Sequence, residues 1–317
     1  MGLTAQETES VIIDASDELS TMIKVDVVRS ARTSNRLKAL LKRLFLRFGY
    51  DVARIVDDVS VYRELYGENV VEAKPFYNVG AGNFNHPCWT NVDHKSDWYA
   101  CEQDKPFLEW DLLLLKPIPV EDNSAEIVYS SHTVEHIADA AALNLFKEAQ
   151  RILKRDGVLR MTCPNVDLAY RAYREGDYGY FCRDSKDWRT LGLLQPFSDI
   201  SLGQLFLLSF ASVASTAHVA DTEKIGDVEL YDLFKNLGFK GALNFCISKC
   251  SVELQRKFPG AHINWWNPRK LVRMLETANF RKILVSAYGQ SFVHVLRNTR
   301  FFDNTAPNIS LYVEATK

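Results

Sequence analysis

KPFYNVGAGNFNHPCWTNVD (residues 74–93), EWDLLLLKPIPVEDNSAEIVYSSHTVEHI (109–137) and RILKRDGVLRMTCP (151–164) together decide the fold. Each contains strand-sized apolar runs that break into small, acidic or imidazole residues. Phe76 to Val79 breaks into Gly80-Ala81-Gly82, and glycines directly after a buried strand let the backbone turn sharply and approach a ligand closely. Thr90 to Val92 ends at Asp93, Ile127 to Tyr129 at Ser130-Ser131-His132, and Val158 to Thr162 runs up to Pro164. In an open α/β sheet the ligand sits beyond the carboxyl ends of the strands, so these polar residues converge on one crevice.

A lone G-x-G also fits an ordinary tight turn, so the spacing around it has to discriminate. A dinucleotide site wants a third glycine, a pyrophosphate on a helix N-terminus and a ribose acid about 20 residues on. Here Asn85 stands where the third glycine would fall, Asp93 follows too closely for a long helix, and Pro87 interrupts the space between. The ligand then has a ribose for Asp93 but no phosphates to cradle. That describes S-adenosylmethionine better than NAD.

The same stretch resembles the class I S-adenosylmethionine-dependent methyltransferases, in particular bacterial methyltransferases of the type 11 group, related to ubiquinone/menaquinone-type enzymes. The run that carries the resemblance is Asp122-Asn123-Ser124-Ala125-Glu126-Ile127-Val128-Tyr129-Ser130-Ser131-His132-Thr133-Val134-Glu135-His136. Ala125 and Glu126 depart from the family pattern, at positions expected to affect packing rather than cofactor chemistry. The resemblance implies an α/β fold: a Rossmann-like seven-stranded methyltransferase sheet closed by an antiparallel pair. It also implies a site for S-adenosyl-L-methionine. Gly80, Ala81 and Gly82 would lie against the methionine portion, Asp93 would bind the ribose, Asp111 and Leu112 would border the adenine, and Ser131 would complete the pocket. Methyl transfer to a hydroxyl oxygen needs a general base. His132, directly after the fourth-strand run, is the candidate, because histidine is the side chain suited to proton abstraction near neutrality. Glu135 and His136 would orient it, or cap and pack. No metal is expected. A saccharide or other small-molecule acceptor is suggested by the family's frequent company. No nucleic acid partner is expected, since no Asn-Pro-Pro-Tyr-like run follows the fourth strand. The alternative is a methyltransferase-like protein that binds the cofactor or a nucleoside without turnover.

The rest of the chain organises around this core. Four regions are expected: an N-terminal helical extension (1–70), the cofactor-binding core (71–167), a largely helical inserted lid (168–260) and the C-terminal part of the core (261–317). Residues 29–54 are strongly basic, and Leu37, Leu40, Leu41, Leu44, Phe45 and Phe48 recur at helical spacing. Such a helix either docks on its own domain or makes weak contact with an anionic membrane surface. A short helix is expected around Asp57 to Tyr66 and an amphipathic one over Ala138 to Lys154, ended by Asp156-Gly157. The segment from Asn165 to Pro259 is far longer than a normal connection and rich in tyrosine. Trp265-Trp266-Asn267-Pro268 opens a last helix, Arg269 to Ala278, followed by strands at Ile283 to Ala287 and Ser310 to Ala315. His262, Asn264, Trp265 and Trp266 would line an acceptor site under the lid, or, in the competing view, anchor the last helix.

With 317 residues, 47% hydrophobic and 25% charged, and a net charge of −2, the composition is that of an ordinary globular protein. Nothing global points to nucleic acid. No apolar run reaches the roughly 20 residues of a membrane span, and no secretory signal opens the chain. Six cysteines form no C-x-x-C pair, which suits reduced thiols in a cytoplasmic protein rather than a metal site at Cys246 and Cys250.

Overall fold

The computed structural model describes residues 35–50, 58–96, 105–181 and 192–317. Met1–Val56 and Asp57–Lys317 are separate compact units. Helix α1 (Asn35–Arg47) belongs to the first and carries Arg47 in its last turn, where a cation suits the helix dipole. The remainder of the basic stretch, 29–34 and 51–54, lies outside the described residues, as do Cys101, Cys182 and Trp188.

The second unit is built on seven strands: β1 (Phe76–Val79), β2 (Trp89–Asp93), β3 (Leu108–Glu109), β4 (Ala125–Ser131), β5 (Leu153–Pro164), β6 (Lys282–Ser286) and β7 (Ser310–Thr316). Among the described residues they form one sheet in the order β3-β2-β1-β4-β5-β7-β6. β1 to β5 are parallel, and β7 runs antiparallel between β5 and β6. Phe76 to Val79 and the final antiparallel pair fall where the sequence places them.

Both faces of the sheet are covered, which is why β4 and β5 are nearly continuously buried instead of alternating. On one face α4 (Asp139–Ile152) turns Ala141, Ala142, Leu145, Phe146, Ala149 and Ile152 inward, and α10 (Pro268–Thr277) adds Leu271 and Leu275. α10 starts on a side-chain cap, Asn267 accepting from the Lys270 N–H, with Pro268 in the first turn. On the other face α2 (Val59–Tyr66) and α3 (Val70–Ala73) close over an aromatic cluster of Tyr62, Phe76, Trp89, Tyr129 and Phe302.

Asp156-Gly157 does not end α4, contrary to the sequence reading. α4 stops at Ile152, β5 begins at Leu153, and the pair forms a kink inside β5 opposite the register shift between Ala125 and Ile127. Asp156 is left-handed (φ 64°), and a Cβ on Gly157 would lie 2.9 Å from the Lys154 carbonyl and 3.1 Å from that of Glu126. Only glycine fits there. The Glu126 side chain reaches across this kink to Lys154, 2.6 Å away.

The middle of β5 carries a charged group. Arg160 is wholly buried and bonded to Asp303, to Glu314 on β7 (2.9 Å), and to Ser286. Arg160 and Glu314 are directly paired across the two strands. Asp303 also accepts from the Gly289 N–H, and its own N–H donates to the Tyr129 hydroxyl. This network ties the segment between β6 and β7 onto the sheet.

Residues 166–260 are largely helical where described: α5 (Val166–Glu175), α6 (Tyr178–Phe181), α7 (Leu202–Leu208), α8 (Asp227–Ile247, broken at Gly238) and α9 (Val252–Lys257). They share their own core around Phe206, Phe210 and Leu243. The apolar run from Leu202 is α7, buried in that core. Among the described residues no helix is long and apolar enough to cross a membrane. Cys88, Cys163, Cys246 and Cys250 are free thiols, and burial pushes those of Cys246 and Cys250 up to about 12.

His218 is buried in the same helical region and accepts from the Ala220 N–H through Nδ1. Burial, and then the Lys224 charge, lower its pKa to about 4. The unfolded chain therefore binds this proton first as pH falls. Stability should decline as pH drops from about 6.5 towards 4 and gain no further loss from this group below that. Urea midpoints of wild type and His218→Asn between pH 7 and pH 4 check this. The variant, which keeps an acceptor and cannot charge, should show the shallower dependence, and identical slopes would contradict it.

Candidate functional site

The carboxyl ends of β1, β2 and β4 supply the crevice. After β1 the chain enters left-handed conformations at Gly80 (φ 69°) and Gly82 (φ 50°). A Cβ on Gly80 would fall 2.2 Å from the Thr133 hydroxyl, so glycine allows the loops after β1 and β4 to pass each other. The Gly82 N–H donates to Asp93 Oδ2 (2.9 Å) and the His94 N–H to Asp93 Oδ1 (2.8 Å). Each carboxylate oxygen accepts one of these bonds and retains capacity to accept another. Ala81 is buried between the two glycines.

Asp111, after β3, caps a short 3-10 turn by accepting from the Leu113 N–H (2.9 Å). Its other oxygen pairs with Arg256 of α9 at 3.2 Å. Leu112 is half-buried against the main core. Ser131, the last residue of β4, shares a hydrogen bond with Thr162 of β5 at 2.8 Å.

His132 takes a left-handed conformation (φ 52°) while its N–H donates to the Thr162 carbonyl. Its ring has a close polar neighbour at each nitrogen. Nε2 lies 2.7 Å from the Ser310 hydroxyl and Nδ1 3.0 Å from Glu135 Oε1, with the side chain 12% exposed. Ser310 and Glu135 thus flank the imidazole on opposite sides.

Glu135 and His136 follow on a 3-10 turn, Val134–His136. The Glu135 carbonyl accepts from the N–H groups of Ile263 (2.8 Å) and Asn264 (3.1 Å), stapling the segment that returns from the helical insertion onto this turn. That brings His262 beside His136, with ring centroids 4.9 Å apart. His136 Nδ1 bonds the Ala261 carbonyl at 3.0 Å and His262 Nδ1 the Ser209 carbonyl at 2.9 Å. Glu135 is 1% exposed. Its oxygens have no aligned hydrogen-bond donor, because the His132 contact meets an ion-pair distance but not hydrogen-bond geometry. Burial alone would raise this carboxyl, but the imidazoles of His132, His136 and His262 outweigh it and hold the group ionised, down at about 2. Residues assigned separately from sequence thus form one cluster, with donor atoms of Glu135, His136 and His262 all within 4.8 Å of one another.

A cavity of about 100 Å³ opens beside His262, walled by Pro164, Val166, Phe181, Phe210 and Trp265 among others. The other expected acceptor residues have structural duties. Asn264 is buried, donating to the Ile137 carbonyl and Asp139 and accepting from Lys270. Trp265 packs in the core of the helical insertion and Trp266, 1% exposed, in the core of the sheet. Lys270 lies 4.5 Å from the centre of each indole ring and 2.7 Å from Asp139. Both tryptophans still contribute wall to the cavity.

Residues 91–161 match the family model of a methyltransferase domain. Solved structures similar in fold include a SAM-dependent methyltransferase from Thermotoga maritima, 11% identical, covering 87% of this chain and 99% of that one with a TM-score of 0.36. A SAM-dependent methyltransferase from Archaeoglobus fulgidus is 12% identical over 83% of this chain and 100% of its own, TM-score 0.34. Human N-acetylserotonin methyltransferase is 12% identical over 81% and 54%, TM-score 0.34. No curated relative matches the sequence. The strand order, with its single antiparallel strand next to the edge, defines a Rossmann-like α/β fold of the class I methyltransferase type. Residues 91–161, which match the methyltransferase-domain model, lie within this sheet and span β2 to most of β5.

Proposed function

We propose that the protein transfers the sulfonium methyl of S-adenosylmethionine to a hydroxyl oxygen of a small-molecule or saccharide acceptor. The observation that carries this reading is the buried carboxylate–imidazole cluster, set between the post-β4 turn and the cavity. The acceptor oxygen attacks the methyl carbon, the O–C bond forms, the C–S bond breaks, and its electron pair stays on sulfur. The hydroxyl proton leaves towards the cluster of Glu135, His136 and His262. Much of the catalysis in such a displacement is alignment of donor and acceptor.

The cofactor would lie along the strand ends, its methionine portion against Gly80, Ala81 and Gly82, its ribose on Asp93, and its adenine bordered by Asp111 and Leu112, with Ser131 below. The acceptor would enter beside His262. The cavity is smaller than the ~300 Å³ of an ordinary ligand pocket, so binding would require the helical insertion to open and then close, excluding water. Asn264, Trp265 and Trp266 hold that wall in place. The basic helix α1 supports weak contact with an anionic surface, and the buried thiols a cytoplasmic setting.

Asp93→Ala removes a charged acceptor from the ribose position, an interaction of about 1.5–3 kcal/mol. Calorimetry should show S-adenosylmethionine binding weakened by roughly 10- to 150-fold. Binding as tight as wild type would remove Asp93 from the site.

A further inference from the structure

We propose that Glu135, His136 and His262 form a site for one divalent transition-metal ion, of which zinc fits best. Two imidazole nitrogens and one carboxylate oxygen are the donor set of open catalytic zinc sites, which leave a fourth position for water or substrate. Three independent features support it. First, the donor atoms of the three side chains already lie within 4.8 Å of one another. Donors around a shared ion at ~2.1 Å stand about 3.4 Å apart, so modest rotation of the two rings closes the set. Second, each imidazole bonds a backbone carbonyl through Nδ1, Ala261 for His136 and Ser209 for His262. That arrangement fixes the tautomer with Nε2 as the ligating nitrogen, as outer-shell carbonyls do for metal-bound histidines.

Third, Glu135 is a buried carboxylate with no aligned hydrogen-bond donor on either oxygen. An isolated buried charge is unfavourable unless paired or metal-bound. His132 stands 3.0 Å from one oxygen, and supplies a second-sphere partner while the rest of the carboxylate faces the other two imidazoles. The scaffold around the three is stiff. The Glu135 carbonyl is held by Ile263 and Asn264, and the His262 backbone is bonded in both directions to Ser212. Preorganisation of this kind is what a metal site needs.

The role of the ion rests on the methyl-transfer reading above. His262 lines the cavity, so the open position would face the acceptor. With the ion bound, the cluster would activate the acceptor hydroxyl instead of taking its proton itself: the ion would bind the hydroxyl oxygen and ease loss of the proton to solvent before the insertion closes, as bound zinc lowers the pKa of water to about 7. The oxygen then takes the methyl carbon as the C–S bond breaks, and the charge of the ion does not change.

The test uses the full chain, freed of metal with a chelator and titrated by calorimetry with zinc chloride. Cobalt(II) chloride serves as an optical probe of the same site. We expect one equivalent bound, ligand-field absorption with cobalt, and a higher melting temperature with zinc. Replacing a ligand should exceed the 10–100-fold loss typical of outer-shell changes, so His262→Gln and His136→Gln should each weaken zinc binding more than about 100-fold. Metal-free melting curves show whether each variant folds, and His262, at the cavity wall, is the safer of the two. S-adenosylmethionine affinity is measured on the same samples. Wild type that binds cofactor but takes up neither metal, or variants that bind zinc as tightly as wild type, would overturn the proposal. Zinc uptake without cofactor binding would uphold the metal site and overturn the methyl-transfer reading instead.

Discussion

Glu135→Gln should lower kcat by about 10²- to 10⁴-fold, the range of a general acid–base contribution, while S-adenosylmethionine binds as in wild type. The substitution keeps the shape of the side chain and removes its charge. Glu135 is the only acid in the cluster, held ionised by three imidazoles despite burial. A neutral amide can neither draw the acceptor's proton nor serve as an anionic donor to a metal ion. Turnover would be followed with S-adenosylhomocysteine release on a panel of hydroxylated acceptors, alongside calorimetry and melting curves. Full activity in the variant would remove the cluster from catalysis. A melting temperature that falls in step with activity would assign Glu135 to holding the turn and the returning segment together.

Arg160→Ala should destabilise the second unit by about 3–5 kcal/mol, the usual consequence of removing one partner from a buried ion group. Arg160 has no exposure to solvent, and its loss would leave Asp303 and Glu314 buried without their counter-charge. Because Arg160 and Glu314 face each other across β5 and β7, the damage falls on the strands that close the sheet. Urea unfolding followed by tryptophan fluorescence measures the change. Combined replacement of all three charges by apolar residues of similar volume should recover much of it, since the desolvation burden is then removed as well. A single variant as stable as wild type would mean that water reaches the network.

The parallel strands were legible because each is a short apolar run stopped by a residue with a physical reason to stop it: glycine after β1, Asp93 after β2, Ser131-His132 after β4. What was not legible depends on partners distant in sequence. Arg160 reads as a polar interruption in an apolar strand until Asp303, 143 residues on, and Glu314, 154 residues on, are brought against it. His132 follows β4 just where a catalytic base could sit, but its contact with Ser310, 178 residues away, is invisible in the local sequence. Glu135 and His136 were visible as neighbours, and His262 as a residue near the acceptor. Only the hydrogen bonds from Ile263 and Asn264 to the Glu135 carbonyl place all three in one cluster. Asp156-Gly157 misled for a local reason: the pair ends helices and makes bulges equally well, and only its contact with the Lys154 and Glu126 carbonyls selects the second.

The central claim, that the crevice at the ends of β1, β2 and β4 takes S-adenosylmethionine, is tested most directly by calorimetric titration of the full chain with that cofactor, S-adenosylhomocysteine and NAD. The account predicts a single site for the first two, in competition with each other and weakened by Asp93→Ala, and no heat from NAD. Saturable binding of NAD with none of S-adenosylmethionine would contradict it.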